Sequence, residues 1–459
     1  MRIVVLNGSP KGTLSVTLQY VRLIQKKFPQ HEFKVINVSR DIKKIEMDEN
    51  LFESIIDDIK NADGVMWAFP LYVLLVPSQY KRFIELIWER GAQAAFKDKY
   101  TAALSTSINF YDNIAHNYIH AVCDDLDMRF VESFSAEMDD IFMDEMRARL
   151  LVFARSFFQA IESKLPTARV FAPVAYSKFN YAPGKIKDRI DTQGKRIVVL
   201  TDVQDGRSNL AKMVDRFKDS FRQDIEAYNL HDINIKGGCL GCLQCSFDNI
   251  CAYQGKDEFV DFFNARVRNA DITVFTGAIK DRYLSSMWKM YFDRSFFKGH
   301  IPVHTGKQIG FIISGPLSQI PNLRQNLEAM VETDRANLVD IVTDECSDSA
   351  QLDALLQNLA GKCVQLSAEN YIRPPTFLGV GGHKLLRDFI WARARFPFLA
   401  DYKFYRQHDL FDFPQKDKRY LDYSKEMLDL IKTPEMREMV RKMIKTEMVK
   451  SYQRVVETA

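Results

Sequence analysis

Near its start the chain gathers apolar residues into short continuous runs rather than an alternating pattern. The stretch "RIVVLN" is apolar almost throughout and runs into Gly-Ser-Pro, which predicts a strand buried on both faces and then a loop. "VTLQYVRLIQKKF" next places its apolar residues at helical spacing. "EFKVINV" predicts a second strand, "LFESIIDDIKNA" a helix and "DGVMWAFPLY" a third strand. Strands and helices alternating at such short intervals predict an α/β domain with a doubly wound parallel sheet.

The pattern then starts again. After the connector "NYAPGKIKDRIDTQGK", the segment "RIVVLTDVQDGRSNLAKMVDRF" repeats strand, loop and helix, opening with the same five residues as Arg2 to Leu6. Further on, "NADGVMWAFPLYVLLVPSQYKRFIE" from Asn61 aligns without a gap with "NADITVFTGAIKDRYLSSMWKMYFD" from Asn269. The copies lie further apart here than at their first strands, and a cysteine-rich loop accounts for the difference. An internal duplication with an insert in the second copy is the simplest reading. From about residue 366 the alternation gives way to aromatic, basic and helical-period sequence broken at Thr433-Pro434. The expected organisation is one α/β domain over 1–165, a second over 195–365, and a helical C-terminal extension over 366–459.

Composition narrows the class. The 459 residues are 46% hydrophobic and 27% charged with a net charge of +3, which is globular and gives no electrostatic reason to expect a nucleic-acid partner. No apolar run is long enough for a membrane span, and "MRIVVLNGSP" lacks the h-region and cleavage site of a signal peptide. The expected location is the cytoplasm, where clustered cysteines serve as metal ligands or redox groups more often than as disulfides.

The loop "NGSPKGTLSVTL" falls at the carboxyl end of the first strand and the start of the first helix, where doubly wound folds bind phosphate. Gly8 and Gly12 let backbone N–H groups converge, and Ser9, Thr13, Ser15 and Thr17 bring hydroxyls to a helix end that favours anions. Neither a Walker loop nor a dinucleotide fingerprint is present, so a phosphate monoester suits the loop.

With "PLYVLLVPSQYKRFIE", this loop resembles the NAD(P)H-dependent FMN reductase group of the flavodoxin-like superfamily. The resemblance implies two flavodoxin-like domains in tandem. It implies that Ser9, Lys11, Ser15 and Thr17 hold the FMN phosphate and that Pro70, Leu71, Tyr72 and Val73 lie along the isoalloxazine. It makes "STSINFYD", with Ser105, Thr106 and Asn109, the third flavin loop. Val16 stands where that group often has Asn.

The second copy keeps the frame and changes the site. Asp202 and Asp205 replace the hydroxyl-rich loop, and Ala278-Ile279-Lys280 replaces Pro70-Leu71-Tyr72. Carboxylates there would repel a phosphate, so flavin binding is expected to be weakened or lost. This copy carries "GGCLGCLQCSFDNIC", which holds four of the seven cysteines, Cys239, Cys242, Cys245 and Cys251, at C-x2-C-x2-C-x5-C spacing. Such spacing lets one loop wrap a cuboidal cluster, and glycines let the backbone approach it. The stretch resembles the compact motif of iron-sulfur flavoproteins, which implies a [4Fe–4S] cluster; zinc and no metal stay open as alternatives. Cys123, Cys346 and Cys363 are expected to be inert, and His116, His120, His300 and His304 to be surface or core residues.

The expectation is a redox flavoprotein passing electrons between FMN and a [4Fe–4S] cluster. NAD(P)H or a ferredoxin-type redox protein would be the donor and a small molecule or protein the acceptor, with a homodimer as one oligomeric option. A simple NAD(P)H-dependent FMN or quinone reductase without a cluster is the first alternative. A non-catalytic scaffold or redox sensor with structural zinc is the second. The tail is expected to dock on the chain's own core, to line a flavin pocket or to meet a membrane or partner.

Overall fold

The computed structural model describes residues 1–186 and 188–458; position 187 of the connector and position 459 of the extension lie outside the described residues. Among the described residues ten strands form two five-stranded sheets. The first contains β1 (Arg2–Asn7), β2 (Glu32–Ile36), β3 (Gly64–Pro70), β4 (Tyr100–Ser107) and β5 (Arg129–Glu137) in the order β2-β1-β3-β4-β5. The second contains β6 (Ile197–Thr201), β7 (Glu226–Asn229), β8 (Ile272–Ala278), β9 (Gln308–Ser314) and β10 (Asn337–Thr343) in the order β7-β6-β8-β9-β10. The orders are the same once the second set is renumbered, and every pairing is parallel. β1, β3 and β4 are buried nearly end to end, which is why they read as continuous apolar runs.

The first sheet is flanked by α1 (Val16–Lys27), α2 (Ile42–Met47), α3 (Glu49–Lys60), α4 (Ser78–Glu89), α5 (Asp112–Asp125) and α6 (Asp144–Glu162). The second is flanked by α7 (Asn209–Asp219), α8 (Phe259–Phe262), α9 (Ser286–Ser295), α10 (Pro321–Thr333) and α11 (Ser349–Ala368). α8 widens directly into a π-turn over Phe263–Val267. The extension supplies α12 (Phe377–Ala392), α13 (Leu399–Gln407), α14 (Lys418–Leu430) and α15 (Pro434–Thr458). α15 begins at the expected Thr433-Pro434 break, with the Thr433 hydroxyl accepting the Met436 N–H.

Residues 1–403 form one compact unit and 404–459 another. Within the first, the two α/β halves meet across α4 and α9, and one apolar core runs from Trp67 and Phe83 to Trp288 and Phe311. The contacts repeat about a pseudo-twofold. Ser78 N donates to Asp293 (2.7 Å) and Ser286 N donates to Glu85 (2.6 Å). Lys81 pairs with Glu85 and Asp281 of the other half, while the matching Lys289 pairs with Asp293 and donates to the Tyr72 carbonyl (2.8 Å). Both lysines are fully buried. A single chain thus forms internally the kind of isologous contact that a symmetric dimer makes between copies.

Candidate functional site

Two local structures converge at the carboxyl edge of the first sheet. In the first, the loop after β1 is held in shape by its own groups. Asn7 Oδ1 accepts the Ser9 N–H (3.1 Å) and Asn7 Nδ2 donates to the Gly12 carbonyl (3.1 Å), with Gly12 at φ +57°. Ser15 caps α1 by accepting the Leu18 N–H. The N–H groups of Val16 and Thr17 open the helix, so they have no intrahelical acceptor and face the end that favours anions. Lys11 is exposed beside them.

The second structure is the turn after β3. Tyr72 and Leu75 exchange backbone hydrogen bonds, and Val73 and Leu74 between them sit at φ +38° and +63°. Two consecutive non-glycine residues in the left-handed region, one of them β-branched, mark backbone strain of the kind that gathers at functional sites. The second copy repeats the turn, with Lys280 and Tyr283 paired and Asp281 and Arg282 at φ +45° and +61°.

One continuous cavity of about 410 Å3 connects these structures. From the first half its walls include Ser9, Lys11, Ser15, Thr17, Pro70 to Val73, and Thr106. Thr17 and Thr106 also share a buried hydroxyl–hydroxyl bond of 2.6 Å that ties the first loop to the third. Two of the expected residues lie elsewhere. The Ser105 hydroxyl is engaged by His116 Nε2 (2.7 Å), and Asn109 is exposed, its N–H donating to Ser107 Oγ. In their place Ser107, Ile108 and Phe110 line the cavity. Their position in the same loop was the one sequence signal for them.

The cysteine loop forms the roof of this cavity. Arg294 fastens both of its ends, donating to the Gly237 carbonyl (3.0 Å) and to both oxygens of buried Asp257 (2.7 and 3.0 Å). Gln79 of α4 donates to the Cys239 carbonyl (3.0 Å). Gly241, at φ +62°, passes so close to Tyr72 that a Cβ there would lie 1.8 Å from the phenol oxygen. A loop from one copy therefore closes the site of the other, which no reading of either copy alone discloses.

The four thiols do not share one arrangement. Cys242 is exposed and the other three are partly buried. Cys239 Sγ accepts from the Gly241 N–H (3.4 Å), and Cys245 Sγ faces the Phe296 carbonyl. Burial pushes the Cys239 thiol up to about 12 and Cys245 to about 11, with neighbouring thiols adding smaller contributions. Among the described residues no three Cys, His, Asp or Glu side chains are gathered so as to hold a metal ion. As arranged, then, these side chains do not fit a metal centre. Leu243, left-handed at φ +59°, starts a 3-10 turn over Gln244–Ser246 that carries Cys245.

The corresponding region of the second copy is closed by the chain itself. Asn209, the first residue of α7, accepts the Tyr181 N–H (2.8 Å) and donates to the Phe179 carbonyl (2.9 Å) and Asp344 (3.0 Å). The connector between the halves thus lies across the loop after β6, and Tyr181 is fully buried. Asp202 bonds the Ser285 hydroxyl, and burial raises its pKa.

Two further groups of residues reach the cavity. His300 and His304 line the cavity, His300 Nδ1 meeting Asp401 at 2.6 Å and His304 Nδ1 meeting Asp334. Part of the extension reaches the same cavity through Leu386, Phe389 and Phe398. Among the described residues no helix is long and apolar enough to cross a membrane.

Residues 1–149 match the family model of the flavodoxin-like fold. No curated protein matches the chain. Among solved structures the chain is similar to an NADH:FMN oxidoreductase in its apo form, at 18% identity and a TM-score of 0.29, over 35% of this chain and 89% of that one. It is similar to the flavoenzyme NAD(P)H:acceptor oxidoreductase of Paracoccus denitrificans at 19% and 0.28, over 35% and 97%. It is also similar to an NAD(P)H:quinone oxidoreductase of Methanothermobacter marburgensis at 13% and 0.26, over 35% and 96%. Likenesses of this size bear on neither substrate nor partner. The family match and the strand order together make the first half a flavodoxin-like domain, and the second half repeats that order.

Proposed function

We propose that the protein is an FMN-dependent oxidoreductase whose single flavin site lies in the first half, with NAD(P)H as the donor. The observation that carries this reading is the continuity of one cavity from the hydroxyl-lined N-terminus of α1 to the strained Tyr72 turn. The whole cavity, with its extension into the second half, falls within the roughly 300–1,000 Å3 usual for cofactor sites. The donor set fits a phosphate monoester: Ser9, Ser15 and Thr17 with the open end of α1, and Lys11 as the cation. Pro70 to Val73 would flank the ring system, and the loop at Thr106 would meet its far edge. Bound FMN would supply two-electron acceptance with stepwise release. The chain's part is to anchor, orient and exclude water, and the roof from Cys239 to Leu243 serves the last of these. The domain limits 1–165, 195–365 and 366–459 belong to the same proposal.

A [4Fe–4S] cluster on Cys239, Cys242, Cys245 and Cys251 is supported by their spacing and by their nearness to one another, and opposed by the arrangement of the thiols. No step is assigned to it. The deciding experiment is reconstitution of the full chain with FMN, followed by gel filtration, an absorption spectrum, and iron and sulfide analysis. Retained flavin that NADPH bleaches is the expected result. Failure to retain FMN at saturating concentration would overturn the reading. Iron with matching sulfide would restore the cluster.

A further inference from the structure

The cavity does not end at the flavin loops. It continues into the second half, where the rings of Phe263, Phe275, Tyr291, Phe292 and Phe311 line it beside aliphatic side chains. Phe275 stacks on Phe311 at 5.5 Å, and Tyr291 lies 6.0 Å from Phe275 and 6.3 Å from Phe263. Phe263 opens the π-turn after α8, and such turns occur frequently at functional sites.

Two polar atoms of residues lining this chamber are buried without a hydrogen-bond partner, Tyr291 Oη and His304 Nε2. Tyr291 is 2% exposed and His304 7%. The other ring nitrogen of His304 is fixed on Asp334, which also accepts from Lys298 Nζ (3.1 Å) and the Val303 N–H (2.9 Å). Burial opposes ionisation of Asp334, but Lys298 and His304 outweigh it and hold the carboxyl well below the usual range. An ionised Asp334 keeps the proton on Nδ1, so Nε2 presents a lone pair while the ring is neutral. Buried polar groups are almost always satisfied, and two left open in one aromatic chamber call for a polar atom from an occupant. Lys298, the cation at the wall, is already paired with Asp334, which argues against an anionic ligand.

We propose that this chamber binds a planar aromatic molecule bearing a ring hydroxyl, its ring among Phe263, Phe275 and Phe311 and its oxygen hydrogen-bonded by Tyr291 Oη and His304 Nε2. The site goes beyond the flavin reading and does not depend on it, because its walls come from the second half.

The test is calorimetric titration of the full chain with 2-naphthol and with 2-methylnaphthalene, which has the same shape without the hydroxyl. The expected result is a preference of about tenfold for 2-naphthol, the value of one well-made buried hydrogen bond. Tyr291→Phe should reduce that preference while leaving the affinity for 2-methylnaphthalene unchanged. Ala336→Phe, which fills the chamber from another wall, should weaken both ligands. Equal affinities in the unaltered chain, or an unchanged preference in Tyr291→Phe, would show that water serves the two atoms and would overturn the proposal, as would no binding of either ligand. Repeating the titration with and without FMN separates the two readings. Flavin absorbance reports on the first half, and the naphthol preference reports on the second.

Discussion

Lys289→Met tests whether the second half holds the flavin platform of the first. The ammonium of Lys289 donates to the Tyr72 carbonyl at 2.8 Å and pairs with Asp293, and both side chains are essentially inaccessible to water. Asp293 in turn accepts the Ser78 N–H that opens α4. Removing the ammonium strands a buried carboxylate, a loss of about 3–5 kcal/mol when one partner of a buried pair is deleted. At a urea dependence of about 2 kcal/mol/M, the midpoint would fall by ~2 M. Burial already raises the Asp293 pKa. Without its cation the carboxyl would titrate higher in the folded than in the unfolded chain. Its penalty is therefore small below the unfolded value and grows as pH rises, so the deficit should be larger at pH 8 than at pH 5. Adding Asp293→Asn removes the stranded charge and keeps an acceptor for Ser78, so the double variant should recover most of the stability. FMN affinity should not recover with it, because the donor to Tyr72 is missing in both variants. Urea unfolding at the two pH values and FMN dissociation by fluorescence give the readouts. Equal destabilisation of single and double variants at both pH values would refute the reasoning.

Three further outcomes follow from the same contacts. FMN titration by equilibrium dialysis should saturate near one equivalent per chain, because Asp202 and the connector clamped by Asn209 close the second copy; a second equivalent of comparable affinity would show that closure to be wrong. Gly241→Ala should speed FMN dissociation by about tenfold, or ~1.4 kcal/mol, because the new Cβ meets the Tyr72 oxygen and φ is +62°; stopped-flow release checks it. Glu89 is held at about 2 by its bond to Arg82, then by Lys280 of the other half. Its contribution is therefore present above the ordinary carboxyl value and lost as pH falls towards 2. Because the side chain is partly exposed, screening reduces this to about 1 kcal/mol, and Glu89→Gln should lower stability by that amount at pH 7 and by little near pH 2.5 in thermal melts.

The elements and the duplication were legible because each rests on local pattern. β1 and β6 carry the same apolar run, and Ser15 and Ser208 cap the helices that follow. What escaped reading depends on how one copy meets the other. Lys81 and Lys289 sit in helices with ordinary amphipathic spacing, where a lysine reads as a solvated face. Their burial follows from packing α4 on α9, while the carboxylates that pair with them, Glu85 and Asp293, lie one turn on in their own helices. The connector reads as a linker because Pro and Gly punctuate it, yet Tyr181 is buried and its hydroxyl bonds Asp353. His304 lacks any ligand spacing in sequence, and its place on the cavity wall comes from the fold bringing Asp334 beside it.

The repeated turn shows how unequal halves arise on one frame. Tyr72 to Leu75 and Lys280 to Tyr283 keep the same paired backbone and left-handed residues, so the shape persists after the chemistry has changed. In the first copy the turn faces an open cavity. In the second, Lys280 instead pairs with Glu89 and Asp281 pairs with Lys81, both from the opposite half. A residue equivalent to one facing the flavin cavity has thus become part of the contact between copies. That exchange is available only when both copies lie in one chain, since in a symmetric dimer any change to the turn alters both sites at once. The duplicated half is therefore free to serve the first as roof, clamp and ligand chamber while its own phosphate loop is closed.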